Sequence, residues 1–305
     1  MNTLVIGGNG FIGSHLVDFL LKKGHSVRVF DKLPERHRPP LKDVDYRLFS
    51  LGNTIELYES LMGIDIVYHL ASSSVPSTSG IDTVADVEND LVQTLKTLDL
   101  VVKRGVSRFV YFSSGGAIYG NTKVSPIPES HPLKPISSYG IIKATIESYI
   151  YLYQRIHGLE PLVLRPSNPY GPRQGHFLAQ GVISTFLRKL KGKEELIVIG
   201  NGCSTKDYIY ITDMVEMCGE LSFTDSTGEY NIGSGTGTSV NEIIHKIKEI
   251  ILIDPKIKYL ESQSYDVGNF ILDISKVEKI LGVRKFVPME TGIANVWQWL
   301  NHLVL

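Results

Sequence analysis

The stretch that decides the fold is Thr3-Leu4-Val5-Ile6-Gly7-Gly8-Asn9-Gly10-Phe11-Ile12-Gly13, together with residues 14–31, which end on Asp31. Thr3 to Ile6 is a short apolar run of the kind that makes a buried parallel strand. Glycines then stand at 7, 10 and 13, the spacing of a G-x-x-G-x-x-G loop. Ile12, Leu16, Phe19 and Leu20 recur at helical spacing, and Lys23-Gly24 supplies a cation and a glycine to end that helix. Ser26 to Phe30 alternates as a second strand, with Asp31 at its end. Each part has a task in dinucleotide binding. Gly7 permits a tight turn, Gly10 admits a pyrophosphate to the backbone, and Gly13 lets helix and strand pack closely. The orphan N–H groups of the helix start attract the anion. Asp31, roughly 20 residues past the loop, is placed to accept the hydroxyls of an adenosine ribose. Its charge repels a 2′-phosphate, so NAD is favoured over NADP, and Lys32 softens that preference without reversing it.

Downstream, strand and helix alternate. Strands are predicted over 46–49, 64–70, 106–114 and 159–164, and helices over 55–62, 84–103 and 139–155. This alternation predicts a doubly wound parallel α/β sheet of the Rossmann kind. The segment 32–40 is polar and proline-broken and reads as a surface loop over the adenosine end. The strand over 64–70 opens into Ala71-Ser72-Ser73-Ser74, small residues where such sheets carry ligand. His69, inside that apolar strand, reads as a hydrogen-bonded core residue.

From Arg165 the texture changes. Arg165 to Arg173 is rich in proline and glycine and reads as a hinge into a second region. That region carries predicted helices over 182–191, 213–221, 239–251, 277–281 and 291–303, and strands over 195–199 and 207–211. The run 229–232 is expected to return to the main sheet as a seventh strand. Trp297 and Trp299 on the last helix read as core packing. The expected division is an NAD-binding domain over 1–166, with a chain return near 205–233, and a smaller α/β substrate domain over 167–305.

A chain of 305 residues is long for one core and fits two domains. Its net charge of −1 gives no electrostatic reason to expect nucleic acid or an anionic membrane. The cysteines, Cys203 and Cys218, lack metal-ligand spacing and fit a reducing, cytoplasmic setting. No apolar run reaches membrane-spanning length, and a start directly on a strand is read as lacking a signal peptide.

Tyr139-Gly140-Ile141-Ile142-Lys143 puts a phenol and an ammonium four apart, on one face of a helix. A free tyrosine, with a pKa of about 10, is too weakly acidic to serve as a base at neutral pH. A neighbouring lysine cation and the positive ring of NAD⁺ are expected to lower it. Tyr139 is then the candidate base toward a sugar hydroxyl, with Lys143 tuning it and holding the nicotinamide ribose.

Gly7 to Gly13, His69-Leu70-Ala71, Ser113-Ser114 with Tyr119-Gly120, Tyr139 to Lys143, and Arg165 to Arg173 together resemble the extended short-chain dehydrogenase/reductase family. Within it the chain is most similar to the NAD-dependent nucleotide-sugar epimerase/dehydratase group, of the UDP-glucose 4-epimerase type. The resemblance spans essentially the whole chain. It implies tightly bound NAD, a nucleotide-sugar substrate, a homodimer made through a helix bundle, and reversible oxidation at C4 of a hexose. It also implies roles for single residues. Gly7, Gly10, Phe11, Ile12 and Gly13 bind the pyrophosphate, and Asp31 and Lys32 lie at the adenosine ribose. Ser50 and Leu51 flank the adenine, Leu70, Ala71, Ser72, Ser73 and Ser113 line the cofactor, and Pro166 lies near the nicotinamide. Asn168, Arg173 and Lys206 face the substrate's phosphates.

Three departures from the family pattern stand out. Gly115 occupies the place of the catalytic Ser or Thr, so Ser114 or Ser113 has to supply the hydroxyl. Lys206 replaces an arginine, keeping the charge and losing the bidentate fork. Gln263 and Ser264 stand where an arginine is expected before Asp266. Phe270 falls near a pocket-wall position where bulk implies an unsubstituted sugar. The expected activity is NAD-dependent 4-epimerisation of a UDP-linked hexose. The alternatives are a 4-keto-sugar reductase using the same Tyr–Lys pair, and a non-catalytic NAD-binding protein for which Gly115 speaks.

Overall fold

Strand β1 (Asn2–Ile6) buries every residue from Thr3 onward and begins the computed structural model, which describes residues 1–73, 80–175, 181–261 and 268–302. There follow α1 (Phe11–Lys22), β2 (Ser26–Asp31), β3 (Val44–Leu48), α2 (Thr54–Ser60) and β4 (Ile66–His69). Next come α3 (Thr83–Asp86), a π-helical stretch (Val87–Val92), α4 (Gln93–Lys103), β5 (Arg108–Phe112), α5 (Gly115–Ile118), α6 (Ser138–His157) and β6 (Glu160–Pro166). The remainder holds β7 (Asn168–Tyr170), α7 (Val182–Lys191), β8 (Leu196–Ile199), β9 (Thr205–Tyr210), α8 (Ile211–Ser222) and β10 (Gly228–Ile232). It closes with β11 (Gly237–Ser239), α9 (Val240–Ile251), β12 (Ile257–Leu260), α10 (Ser275–Leu281) and α11 (Met289–His302).

The main sheet has seven strands in the order β3-β2-β1-β4-β5-β6-β10. Its pairs from β3 across to β6 are parallel, as a doubly wound α/β fold requires. The chain steps outward from β1 to β2 and β3, then crosses back to β4 on the other side of β1. The loops after β1 and β4 therefore leave the sheet in opposite directions, which opens a ligand crevice at their carboxyl ends. Leu4, Ile6, Phe30, Val67, Phe109 and Ile146 belong to the core that fixes this edge.

The chain divides into two compact units. One is Met1–Gly120 with Pro132–Arg165 and Val215–Tyr230, and the other is Asn121–His131 with Pro166–Met214 and Asn231–Leu305. The segment 215–230 is built into the first unit by packing and hydrogen bonds. A Cβ on Gly219 would lie 2.1 Å from Phe19 of α1. Tyr68 and Ser222 share a buried hydrogen bond of 2.6 Å. In the second unit, β7, β9 and β11 make a three-stranded sheet and β8 pairs with β12.

Three expectations are corrected. The single helix over 84–103 is interrupted by the π-helical stretch, because the Asp90 carboxylate turns inward to hydrogen-bond Ser72 and Ser73. Trp297 and Trp299 are only half-buried; Ile293, Val296 and Leu300 carry the inner face of α11. The hinge over 165–173 contains β7, held in parallel register on β9. Among the described residues no helix is long and apolar enough to cross a membrane.

Candidate functional site

At the carboxyl end of β1 the glycine loop is a backbone-only cradle. Gly7 has φ +86°, and a Cβ there would lie 2.8 Å from the amide nitrogen of Ala71 in the loop after β4. A Cβ on Gly13 would lie 2.1 Å from the Gly7 carbonyl oxygen. Neither position accepts any other residue. Gly10 occupies the N-cap of α1 and brings no side chain to satisfy the first-turn N–H groups, so those of Phe11, Ile12 and Gly13 remain available to an anion. Asp31 ends β2 and accepts the Asn9 and Leu33 backbone N–H groups, each at 3.0 Å. Asn9 Nδ2 donates to the Leu33 carbonyl at 2.7 Å, tying the loop to the acid. Burial pushes the Asp31 carboxyl above its ordinary range, opposed by those two N–H donors and by Arg36 and Lys32. Lys32 is exposed, Ser50 is exposed, and Leu51 packs against the core. Cradle, uncapped helix start and ribose acid together fit NAD.

The candidate reacting groups lie in the same unit, Ser113 and Ser114 just after β5 and Tyr139 and Lys143 on α6. Ser137 caps α6 by accepting the Gly140 N–H at 3.2 Å, which sets the first helical turn. A Cβ on Gly140 would lie 2.4 Å from the Ala117 carbonyl, so α6 starts hard against α5. That approach brings the Tyr139 phenol to Ser114, and the two side chains are hydrogen-bonded. Ser114 is the N-cap residue of α5 but makes no side-chain cap bond, which leaves its hydroxyl for this use. Ser113 is buried, and its hydroxyl has no hydrogen-bond partner among the described residues. Of the two candidate serines, Ser114 is the one joined to Tyr139.

Lys143 is buried, donates to the Phe112 carbonyl at 2.8 Å, and lies 5.6 Å from the Tyr139 ring centroid. Burial pulls its amine down to about 8, opposed by Asp90 and Glu147. Burial pushes the Tyr139 phenol up to about 12, with the Ser114 hydrogen bond opposing. The expected lowering counts on NAD⁺ as well as Lys143. Desolvation dominates at Tyr139, so the phenol is neutral in the protein by itself. His69 is in the core as expected, its ring pushed down to about 3 by burial, but its contact with Thr94 is a long 3.5 Å.

The sequence profile of the NAD dependent epimerase/dehydratase family matches residues 3–233. The chain belongs to this family. A putative UDP-glucose 4-epimerase of Methanocaldococcus jannaschii is 33% identical over 305 residues, covering 98% of each chain. UDP-glucuronic acid decarboxylase 6 of Arabidopsis thaliana is 32% identical, over 96% of this chain and 87% of that one. Among solved structures, the UDP-glucose 4-epimerase of Thermotoga maritima, with UDP-glucose, superposes with a TM-score of 0.93 at 35% identity over 99% of both chains. The UDP-glucose 4-epimerase of Thermus thermophilus, a complex with NAD, gives 0.93 at 29% identity over all of both chains. NAD is thus the cofactor of this epimerase/dehydratase family chain.

Leu70 and Ala71 are half-buried behind the cradle, and Pro166 ends β6. In the second unit, Asn168 Nδ2 donates to the Asp207 carbonyl at 2.9 Å and ties β7 to β9. Lys206 Nζ donates to the Gly268 carbonyl at 2.8 Å, and Phe270 is buried with its backbone paired beside Lys206. Arg173 is half-buried and holds a left-handed φ of +73°, a costly backbone state for arginine. Gln263, Ser264 and Asp266 lie outside the described residues. Sequence reasoning misses two buried charge sites. Arg165 Nη2 donates to Glu147 at 2.7 Å and its Nη1 to the Tyr119 hydroxyl at 2.9 Å, beneath α6. Asp90 is buried in the π-helical stretch.

Proposed function

We propose that the chain is an NAD-dependent 4-epimerase of a nucleotide-activated hexose, with a UDP-linked sugar as substrate. The observation that carries this reading is the Ser114–Tyr139 hydrogen bond with the Lys143 ammonium beneath it. Gly7, Gly10, Phe11, Ile12, Gly13 and Asp31 would hold the cofactor, with Leu70, Ala71, Ser72, Ser73, Ser113 and Pro166 along its length. NAD, when bound, supplies a cationic ring near the phenol and an acceptor to which the sugar's C4 hydrogen leaves and from which it returns. A phenol near 12 is ionised to only about one part in 10⁵ at pH 7, so Tyr139 works as a base only where positive charge is added to its surroundings. Tyr139 takes and returns the hydroxyl proton, Ser114 steadies the same oxygen, and Lys143 keeps a cation under both. Asn168, Arg173 and Lys206 are the residues we assign to the substrate's diphosphate.

Dehydration or decarboxylation of such a sugar is the second reading, favoured by relatives such as the Arabidopsis decarboxylase. Dehydratases of this family are expected to carry an acid after the serine, to move a second proton. Here α5 reads Gly115-Gly116-Ala117-Ile118 and has no ionisable side chain. Removal of a second proton therefore has no group at that turn. An exposed apolar stripe on α6, including Ile141, Tyr149, Leu152 and Ile156, supports a homodimer made through this helix. The test is incubation of the purified protein with UDP-glucose, UDP-galactose and their N-acetyl forms without added NAD. Interconversion of one pair is expected; no conversion of any of the four, or conversion only in a parallel incubation where supplied NAD(P)H is consumed, contradicts the reading.

A further inference from the structure

We propose that Asn9 is a positioning residue for cofactor choice: its side-chain amide locks the Asp31 carboxylate where it meets an adenosine ribose and excludes a 2′-phosphate. The proposal rests on NAD as cofactor and on Asp31 as its ribose acid, and uses nothing of the sugar chemistry. Asn9 is 2% exposed and stands between Gly8 and Gly10. Two ordinary reasons for an asparagine in such a loop do not apply. Left-handed backbone, which asparagine tolerates, occurs outside glycine at Arg173, Lys193 and Leu252 and not at Asn9. Nor does its side chain cap α1, since Gly10 holds the N-cap and no side chain bonds there. The amide instead reaches 24 residues along the chain, to the Leu33 carbonyl at 2.7 Å. A carbonyl only accepts, so Nδ2 faces it, and Oδ1 is left buried with no hydrogen-bond partner among the described residues. A side chain kept for stability alone would not leave a buried acceptor unmet, because that costs more than one bond returns.

The bond closes a ring. The Asn9 N–H donates to Asp31 Oδ2 and the Leu33 N–H to Oδ1, each at 3.0 Å, and the Asn9 side chain ties Leu33 back to the glycine loop. Each carboxylate oxygen thus has one backbone donor and keeps a lone pair for a ribose hydroxyl. A carboxylate held from both sides cannot turn away, so a 2′-phosphate meets a fixed negative charge. Further along, the same loop is anchored by Arg38. That side chain pairs with Asp18, donates to the Ser14 carbonyl of α1 at 3.3 Å and lies 3.4 Å from Glu35. None of these contacts passes through Asn9. Loss of the Asn9 amide therefore frees the loop only beside Asp31, where the exposed Lys32, next in the chain, can turn to a phosphate.

The test is the binding of NAD and of NADP, measured separately by calorimetry on the full-length protein freed of bound nucleotide. Asn9→Ala is expected to weaken NAD binding and to narrow the preference for NAD over NADP about fivefold, the scale of one net hydrogen bond. Asn9→Ser, whose hydroxyl is too short to reach the Leu33 carbonyl, is expected to do the same and serves should the first variant not fold. Asp31→Asn is measured beside them and is expected to narrow the ratio further. The double variant Asn9→Ala/Asp31→Asn should match Asp31→Asn alone, because Asn9 acts through the carboxylate. A merely structural asparagine would lower both affinities equally and leave their ratio unchanged, which overturns the proposal, as does full additivity in the double variant. An effect of Asp31→Asn with none of Asn9→Ala overturns the proposal alone; no effect of either overturns it together with the ribose assignment beneath it. No sugar is present, so the outcome is independent of whether any nucleotide sugar is epimerised.

Discussion

Two aspartates are buried in different units of the chain, and both are held by serine and backbone donors. Asp207 in β9 accepts the Ser234 N–H and Oγ at 2.9 Å, the Gly235 N–H at 3.2 Å and the Leu272 N–H at 3.3 Å. Its donors come from two loop segments that it pins to one strand. Asp90 is also held by a serine hydroxyl and amide, but Lys143, Tyr111 and His69 feel its charge. The first aspartate staples architecture, and the second sits among groups whose protonation matters. Hydrogen-bond count does not separate them; the chemistry of the neighbours does. The same contrast appears in satisfaction. The Ser113 hydroxyl, the Tyr111 hydroxyl and His69 Nδ1 are buried without hydrogen-bond partners among the described residues, around the proposed reaction site. Unmet polar groups in a native interior call for an explanation, and a site built to meet cofactor and substrate supplies one.

The contrast can be broken by substitution. Asp207→Ala strands several buried donors at once and should cost about 3 kcal/mol or more of stability, read by chemical denaturation of the parent and the variant. A loss below about 1 kcal/mol would make Asp207 no staple. Ser114→Ala should leave stability nearly unchanged and cut kcat by about 10²-fold, by analogy with removal of an oxyanion donor, while Ser113→Ala costs less than tenfold. Equal, mild losses from both would remove Ser114 from the mechanism.

The pH profile sharpens the contrast further. With the Lys143 amine near 8, its charged form dominates below that pH and is lost above it. Turnover should therefore fall on the alkaline side from about pH 8, well below the ordinary lysine value of about 10.4. A rate that stays flat to pH 10 contradicts the role given to this cation. The smallest effect expected is at the adenosine end. Asp31→Asn removes the charge that repels a 2′-phosphate and should narrow the preference for NAD over NADP by about tenfold, measured as the ratio of the two binding constants. An unchanged ratio would place selectivity elsewhere.

Much of the first unit is legible in the sequence. Its inner strands β1, β4, β5 and β6 are buried on both faces and appear as largely apolar runs, and the glycine spacing identifies the cradle because sterics there admit nothing larger. The return of 228–232 to the main sheet is visible as a short alternation of polar and apolar residues, Glu229-Tyr230-Asn231-Ile232. The π-helical interruption is not, since Val84 to Lys103 keeps a helical period and only the inward turn of Asp90 reveals the extra residue. A carboxylate in line with Thr94, Leu98 and Val101 is the available signal. The upward shift of Tyr139 in the protein by itself escapes a sequence reading because spacing shows the neighbouring cation but not the depth of burial. The second unit is less legible. Its strands are short, half-exposed and paired across long separations, and the proline-rich hinge conceals β7.

The most direct test of the account is the turnover of Tyr139→Phe. The phenylalanine keeps the ring and the packing against Ser114 and Lys143, and removes only the oxygen that moves the proton. The account predicts a protein that folds and binds NAD like the parent and interconverts whichever of the tested UDP-sugar pairs the parent accepts at least ~10³-fold more slowly, in the range of general acid–base catalysis. Turnover within tenfold of the parent would contradict it.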